Sequence, residues 1–138
     1  VLGRYLRGCF YKFDREREEF TRFMNRHNDL TSLSSNIVSS IYEDKSGTLW
    51  IGTIEGGLCV FDRKRQKFKR YENETKSPNS LNNNTILSIF EDRNNALWIG
   101  TGGGGINKFD KQRMKFLHYK MDPFATLGSD NNFNFLLL

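Results

Sequence analysis

Short runs of β-branched and aromatic residues, each five to seven residues long, alternate along the chain with clusters of Gly, Asn, Asp, Lys and Arg. Runs of this length between turn-forming residues are typical of β-strands. The connections are too short to hold helices, which excludes a parallel βαβ arrangement. The pattern predicts eight strands in the centre of the chain, at 37–43, 48–53, 57–61, 67–72, 85–91, 96–101, 105–109 and 115–120.

The pattern repeats every 48 residues. Residues 33–80 and 81–128 align without a gap, and 19 of the 48 aligned pairs are identical. Four-stranded sheets of this size cannot bury both faces alone, so they must stack on copies of themselves. A β-propeller stacks them radially and leaves only short edges exposed. We therefore predict an all-β chain of β-propeller blades, each of four antiparallel strands, as an incomplete propeller or part of an oligomeric one.

The repeat divides the chain into four parts. These are the end of a first blade (1–32), two complete repeat units (33–80 and 81–128) and the first strand of a further blade (129–138). The total is about three units, whereas propellers typically have about four to eight blades. A head-to-tail homodimer would complete a six-bladed ring, in which the last strand of one copy completes the first blade of the other. The alternative is a fragment with exposed strand edges that associate.

Two turn positions and a tryptophan recur in both units. Gly adopts the left-handed backbone freely and Asn tolerates it, while Asp accepts backbone hydrogen bonds from residues further along the turn. We interpret the recurring Asp as a turn staple rather than a general base, and we expect the tryptophans to pack one sheet on the next. The structural positions are Asp44, Gly47 and Trp50 in the first unit and Asp92, Asn95 and Trp98 in the second.

The consensus of the two units resembles the two-component regulator propeller repeat. It reads Asn-x-(Val/Ile)-x-Ser-Ile-x-Glu-Asp-x-x-Gly-x-Leu-Trp-Ile-Gly-Thr-x-x-Gly-Gly-(Leu/Ile), followed by Phe-Asp and Phe-x-x-Tyr, and it is matched at 36–71 and 84–119, with Asn95 in place of the turn Gly. The resemblance covers about residues 3–135. It implies the extracytoplasmic sensor of a hybrid histidine kinase, on the periplasmic or extracellular side of a bacterial inner membrane. The ligand of such sensors is frequently an oligosaccharide.

The chain is basic, with 21 Lys+Arg against 16 Asp+Glu and a formal net charge of +5. The basic run 63–70 is of the kind that binds nucleic acid or heparin. It falls on a predicted hairpin and edge strand, however, where charges face solvent and discourage edge pairing. We interpret it as a solvated edge and expect no nucleic-acid partner, with polyanion binding as the alternative. No apolar run approaches the roughly 20 residues of a membrane-spanning helix.

The sequence predicts no catalytic, metal or cofactor site. Gly100, Gly102 and Gly105 fit a dinucleotide-binding pattern, but a strand follows them instead of the helix that binds pyrophosphate, so they are interpreted as a hairpin. Cys9 and Cys59 do not have the spacing of a metal site. A propeller lyase would need paired carboxylates, or a His with an acidic partner, on one face. On the expected ligand face only Glu55 carries a carboxylate, and the equivalent residue of the second unit is Gly103. A propeller lyase is therefore the less favoured alternative, and we expect no enzymatic activity in this chain.

The best candidate for a ligand site is the end of the propeller where the fourth-to-first and second-to-third strand connections converge. Asn side chains there offer donors and an acceptor to sugar hydroxyls, although they could instead satisfy the backbone of turns. Gly102 and Gly103 leave room for a ligand near the axis, and Glu55 adds a negative charge. The candidates are Asn36, Glu55, Asn83, Asn84, Gly102 and Gly103. The alternative function is an interaction scaffold for protein or polyanion partners.

Overall fold

The structure, a computed structural model, describes residues 9–119 of the chain. Ten β-strands and no helix occur in this range, so it contains no helix that could cross a membrane. In chain order the strands are β1 (Phe10–Asp14), β2 (Glu19–Phe23), β3 (Val38–Glu43), β4 (Leu49–Thr53), β5 (Leu58–Asp62), β6 (Lys67–Tyr71), β7 (Ile86–Glu91), β8 (Leu97–Thr101), β9 (Ile106–Asp110) and β10 (Lys115–Tyr119).

The strands form three separate antiparallel sheets. β1 and β2 form a hairpin, β3-β4-β5-β6 form one four-stranded sheet, and β7-β8-β9-β10 form another. The predicted all-β class with four-stranded antiparallel sheets is confirmed, and each of the eight predicted strands is found with its ends within one residue of the prediction. The strand predicted at 129–138 lies outside the described residues.

The hairpin packs on the first four-stranded sheet through aromatic rings. Phe61 of β5 and Phe68 of β6 are buried and face the preceding hairpin. The ring centre of Phe10 lies 5.3 Å from that of Phe61, and the ring centre of Phe23 lies 5.7 Å from that of Phe68. Leu33 and other buried side chains complete this cluster. Because alternate residues of a strand point to opposite faces, these phenylalanines occupy only one face of the sheet.

The two four-stranded sheets pack on each other in the same way, one repeat later. Phe109 of β9 and Phe116 of β10 are buried against the other face of the first sheet. The ring centre of Trp50 lies 5.5 Å from that of Phe109, and the ring centre of Tyr71 lies 5.7 Å from that of Phe116. Each four-stranded sheet thus presents two phenylalanines to the sheet before it. The first four-stranded sheet presents Trp50 and Tyr71 to the sheet after it. We call the contact between the two four-stranded sheets the central seam.

A glycine allows the two backbones to approach closely at the central seam. Gly52 lies in β4, and a Cβ added there would lie 2.5 Å from Cγ2 of Ile86 at the start of β7. Real Cβ atoms do not come this close to a neighbour, so a larger residue would push the sheets apart. The close approach of the two sheets therefore requires glycine at position 52.

Candidate functional site

A cleft of about 350 Å³ opens at one end of the central seam. One side comes from the turn between β4 and β5, and the other comes from the segment that joins β6 to β7. The cleft therefore uses both kinds of connection that the sequence analysis singled out. Its lining is polar throughout and consists of Glu55, Asn73, Asn82, Asn83, Asn84 and Thr85.

Asn84 lies just before β7 and lines the cleft, and only the oxygen of its side-chain amide is bound within the described residues. Its Oδ1 accepts a hydrogen bond of 2.6 Å from the backbone N–H of Asn73, and the Asn73 Nδ2 donates to the carbonyl of Leu81 at 2.8 Å. Oδ1 is therefore used by the fold, whereas Nδ2 of Asn84 donates no hydrogen bond within residues 9–119. Asn36 occupies the equivalent place one repeat earlier, where its Oδ1 accepts a hydrogen bond of 2.6 Å from the backbone N–H of Asn25. Asn36 does not line the cleft.

Asn83 is held in a similar way. Its Oδ1 accepts the backbone N–H of Thr85 at 2.9 Å, as Asn does in many turns. Nδ2 faces Gly103 across a gap, since a Cβ added to that glycine would lie 4.0 Å from it. In the part of the chain that the structure describes, this Nδ2 also donates no hydrogen bond. Gly102 donates its backbone N–H to the carbonyl of Thr85 at 2.9 Å. Gly102 and Gly103 therefore each lie next to a residue of the cleft, Thr85 and Asn83 respectively, but neither glycine lines it.

Asn82 links one wall of the cleft to the second four-stranded sheet through hydrogen bonds to Asn107 of β9. It accepts a hydrogen bond of 2.7 Å from the Nδ2 of Asn107 and donates its backbone N–H to the Asn107 Oδ1 at 3.1 Å. Its own Nδ2 donates to the carbonyl of Gly104. Asn107 is fully buried, so this pair satisfies amide groups that would otherwise be costly inside the sheet. The result is a fixed wall of amides on one side of the cleft.

Glu55 stands opposite these amides. Its backbone has a left-handed φ of 64°, and its N–H donates to Oγ1 of Thr85 at 3.3 Å across the central seam. Gly57 in the same turn donates to the backbone carbonyl of Asn84 at 2.7 Å. The side chain of Glu55 is exposed, and its carboxylate has no hydrogen bond or ion pair with any other described residue. The corresponding residue of the second repeat is Gly103, which cannot supply such a group.

The structure thus brings together three of the predicted ligand-binding residues, namely Glu55, Asn83 and Asn84. It adds Asn73, Asn82 and Thr85, which were not among the candidates. A sequence signal for Asn73 exists, because Asn stands 11 residues before the joint Asn in both units, at Asn25 before Asn36 and at Asn73 before Asn84.

The recurring aspartates lie at the other end of the strands and close the turns between first and second strands. Asp44 Oδ1 accepts the backbone N–H groups of Ser46 and Thr48, both at 3.0 Å. Asp92 accepts the two equivalent backbone N–H groups at 2.8 and 3.0 Å. Gly47 and Asn95 supply the left-handed residue of these turns, with φ of 84° and 64°.

Asp44 also takes part in a buried ion cluster across the central seam. Nζ of Lys111, from the turn between β9 and β10, lies 2.8 Å from Oδ2 of Asp44 and 2.8 Å from Oε2 of Glu91. The indole Nε1 of Trp50 donates to the same Oδ2 at 2.8 Å. Asp44 and Glu91 are buried, so these carboxylates are bound by the fold and are closed to a substrate.

The cluster shifts the pKa of two of its members. Burial alone would raise the pKa of Asp44, but hydrogen bonds from Lys111, Ser46 and Trp50 outweigh it and hold that pKa well below its usual range. Burial would lower the pKa of Lys111, but its hydrogen bonds to Asp44 and Glu91 raise it instead.

The basic run 63–70 lies on the β5–β6 hairpin and on β6, which is the edge strand of its sheet. Several of its charges are used inside the fold. Arg63 pairs with Glu43 at 2.7 Å, and the guanidinium of Arg70 donates to the carbonyls of Asp29 and Ser32 at 2.9 and 3.0 Å. Fewer cations are therefore available to a polyanion than the sequence suggests.

The described residues contain no group of three or more His, Cys, Asp or Glu side chains that could hold a metal ion. Among the described residues, one carboxylate and no His side chain line the cleft. The chemistry it offers is hydrogen bonding: one acceptor carboxylate opposite amide donors.

Comparison with protein families matches the profile of the two component regulator propeller at residues 32–55 and 80–103. Each match covers the joint before a first strand, the first two strands and the start of the following turn. A comparison with curated proteins gives no match. These results indicate no enzyme family.

Three of the solved structures that match this chain show the same fold. The extracellular domain assigned to the hybrid two component system BT3049 from B. thetaiotaomicron is 25% identical, with a TM-score of 0.76 over 90% of this chain. Two structures of the extracellular domain of BT4673 from the same organism, assigned to a one component system and to a hybrid two component system, are 24% and 21% identical, with TM-scores of 0.64 and 0.63 over 80% and 81% of this chain. At these last two identities the likeness concerns the fold alone.

The chain spans only 17%, 14% and 16% of the length of these three structures. The four-stranded sheets and their turns recur along this chain with the same 48-residue period as the sequence. The chain therefore carries the two-component regulator propeller repeat twice, in stacked blades of four antiparallel strands.

Proposed function

We propose that this chain is part of the ligand-sensing propeller of a bacterial two-component receptor. It would lie on the periplasmic or extracellular side of the inner membrane, with the signalling domains elsewhere in a longer parent protein. The matched repeat family supports this proposal, and so does the likeness to an extracellular domain assigned to a hybrid two component system.

The cleft at the central seam would bind a neutral, hydroxyl-rich ligand such as an oligosaccharide. The observation that carries this proposal is that Glu55, whose carboxylate has no partner among the described residues, lines the same cleft as Asn83 and Asn84, whose amide Nδ2 groups donate no hydrogen bond within residues 9–119. A carboxylate accepts hydrogen bonds from hydroxyls and an amide NH₂ donates to them, so the pair can bind neighbouring hydroxyls of one ring.

The affinity is expected to be modest. None of the described residues that line the cleft is aromatic, so binding depends on hydrogen bonds that compete with water. We expect a Kd on the order of 1 mM, which corresponds to about 4 kcal/mol of binding free energy.

Titration of the protein with neutral oligosaccharides, followed by amide chemical shifts, tests this site. Glu55→Gln and Asn83→Ala are each expected to weaken binding about tenfold, which is the loss of about 1.4 kcal/mol of hydrogen bonding. Glu16→Gln and Asn94→Ala are the matched controls, because both residues are exposed on turns away from the cleft and should leave the affinity unchanged. Unchanged binding in both cleft variants would contradict the proposed site, and shifts confined to other surfaces would place the ligand elsewhere.

A further inference from the structure

Among the described residues, Glu55 is the one charged side chain that lines the cleft. Its backbone has a left-handed φ of 64°, a conformation that favours glycine, and the equivalent residue of the second repeat is Gly103. The Glu55 side chain is exposed and forms no hydrogen bond or ion pair with any other described residue. The fold of residues 9–119 therefore does not require a carboxylate at this position.

The turn that carries Glu55 is held in place by hydrogen bonds of its backbone. Within the turn, the N–H of Thr53 donates to the carbonyl of Gly57 at 3.1 Å. Across the central seam, the N–H of Gly57 donates to the carbonyl of Asn84 at 2.7 Å, and the N–H of Glu55 donates to Oγ1 of Thr85 at 3.3 Å. The carboxylate is therefore attached to a fixed backbone, and a ligand that binds it has little main chain to order.

A second acidic side chain lies beside the same turn. A Cβ added to Gly57 would lie 3.3 Å from Cγ of Glu72, the residue that follows β6. Glu72 is exposed and forms no ion pair within residues 9–119. One repeat earlier, the equivalent residue is the uncharged Met24. The surroundings of this turn are therefore negative, although the chain as a whole has a formal net charge of +5.

The hydrogen-bond donors of the cleft are uncharged. Nδ2 of Asn83 and Nδ2 of Asn84 are its unused donors within the described residues, and no Arg or Lys of that range lines it. An amide can donate to an anion but, unlike Arg or Lys, it brings no positive charge to balance the anion. A ligand carboxylate or sulfate would therefore add a negative charge near Glu55 with no cation to offset it, whereas a ligand ammonium group would pair with Glu55.

We propose that Glu55 makes the cleft selective for the charge of a sugar: sugars with a protonated amine bind best, neutral sugars follow, and sugars with a carboxylate or sulfate are rejected. This inference rests on the proposed function, because it concerns the same cleft. A carboxylate accepts hydrogen bonds from hydroxyl and ammonium groups but has no proton to donate to another carboxylate. Two unit charges about 4 Å apart change an affinity about fivefold in water, and more where water is partly excluded.

Three sugars of similar size that differ in one group test this ranking: glucosamine, glucose and glucuronate. Each is titrated at about pH 6, where the amine is protonated and the carboxylates are ionised, and binding is followed by the amide chemical shifts of the cleft residues. We expect glucosamine to bind at least about tenfold more tightly than glucuronate, with glucose between them. Glu55→Gln keeps the size and an acceptor oxygen but removes the charge, so the three affinities should then agree within about twofold. Glu55→Lys should reverse the order.

Glu16→Gln is the matched control. It removes one negative charge from an exposed turn away from the cleft, so the net charge of the chain changes by the same amount as in Glu55→Gln. The ranking of the three sugars should persist in this variant, which separates the local effect of Glu55 from the general attraction of a basic chain for anions. Circular dichroism verifies that all variants keep their β-structure.

The outcomes distinguish this inference from the proposed function. Equal affinities of the three sugars for the original chain, tighter binding of glucuronate, or the same change of ranking in Glu55→Gln and Glu16→Gln would each overturn the charge selectivity and leave the cleft as a site for hydroxyls. If none of the three sugars shifts the amide signals of the cleft residues, the cleft is not a sugar site, and both the proposed function of this cleft and the inference are overturned.

Discussion

Replacing Asp44 with alanine is expected to lower the free energy of unfolding by about 3 kcal/mol, because the change leaves a partly buried lysine with only one of its two carboxylates. It also removes the acceptor of the Trp50 indole N–H and of two backbone N–H groups in the turn. An unsatisfied buried donor costs more than the hydrogen bond contributes when it is made. The loss should therefore be large for a single turn residue.

Asp92→Ala is the matched control. Asp92 accepts the Trp98 indole N–H at 2.8 Å and the two equivalent backbone N–H groups of its own turn, but its carboxylate forms no ion pair with a lysine among the described residues. We expect this change to cost only about 1 kcal/mol. Urea unfolding of both variants, under conditions where the chain is monomeric, measures the difference. Equal losses would show that the turn bonds, and not the ion cluster at the central seam, make Asp44 important.

The acid limb of the stability profile gives an independent check. The folded pKa of Asp44 lies below its value in the unfolded chain, so this carboxylate contributes stability that is fully present above about pH 4. That contribution is lost as the pH falls toward the folded pKa. We expect Asp44→Asn to flatten the fall in unfolding free energy below about pH 4, and an unchanged slope would contradict the assignment.

Replacing Phe109 with alanine is expected to cost about 3–5 kcal/mol, the usual range for a phenylalanine removed from a core. Phe109 is 1% exposed and lies at the centre of the central seam. Its ring centre is 4.6 Å from that of Phe116, 5.3 Å from that of Tyr71 and 5.5 Å from that of Trp50. The cavity would lie between the sheets, where little can move to fill it.

Phe13→Ala serves as the control because Phe13 occupies the same position in the first hairpin, two repeats earlier. It is 47% exposed and its ring contacts only that of Phe20 among the described aromatic residues. We expect a loss of less than about 1 kcal/mol in the monomer. Thermal unfolding at low protein concentration measures both changes. A comparable loss for the two variants would mean that the hairpin itself, rather than the stacking of sheets, stabilises this fold.

The sequence was a reliable guide wherever local chemistry repeats. Strand positions follow from runs of β-branched and aromatic residues, and the left-handed turn backbone at Gly47 and Asn95 follows from the two residue types that tolerate it. Contacts between repeats could not be derived in this way. The link from Lys111 to Asp44 joins residues 67 positions apart, and no local pattern distinguishes it from the other basic residues of the hairpin turns.

The candidate site also has features that follow from local sequence and features that depend on contacts between repeats. The sequence pointed to Glu55, Asn83 and Asn84 because connections at one end of a propeller converge. It could not tell which amide atoms the turns use, which depends on how Asn73 and Thr85 lie against them. The sequence alone therefore determined the repeat, the strands and three of the six residues that line the cleft. Only the tertiary structure decided which donors remain unused and which aromatic faces are covered, because both depend on how one sheet is placed against the next.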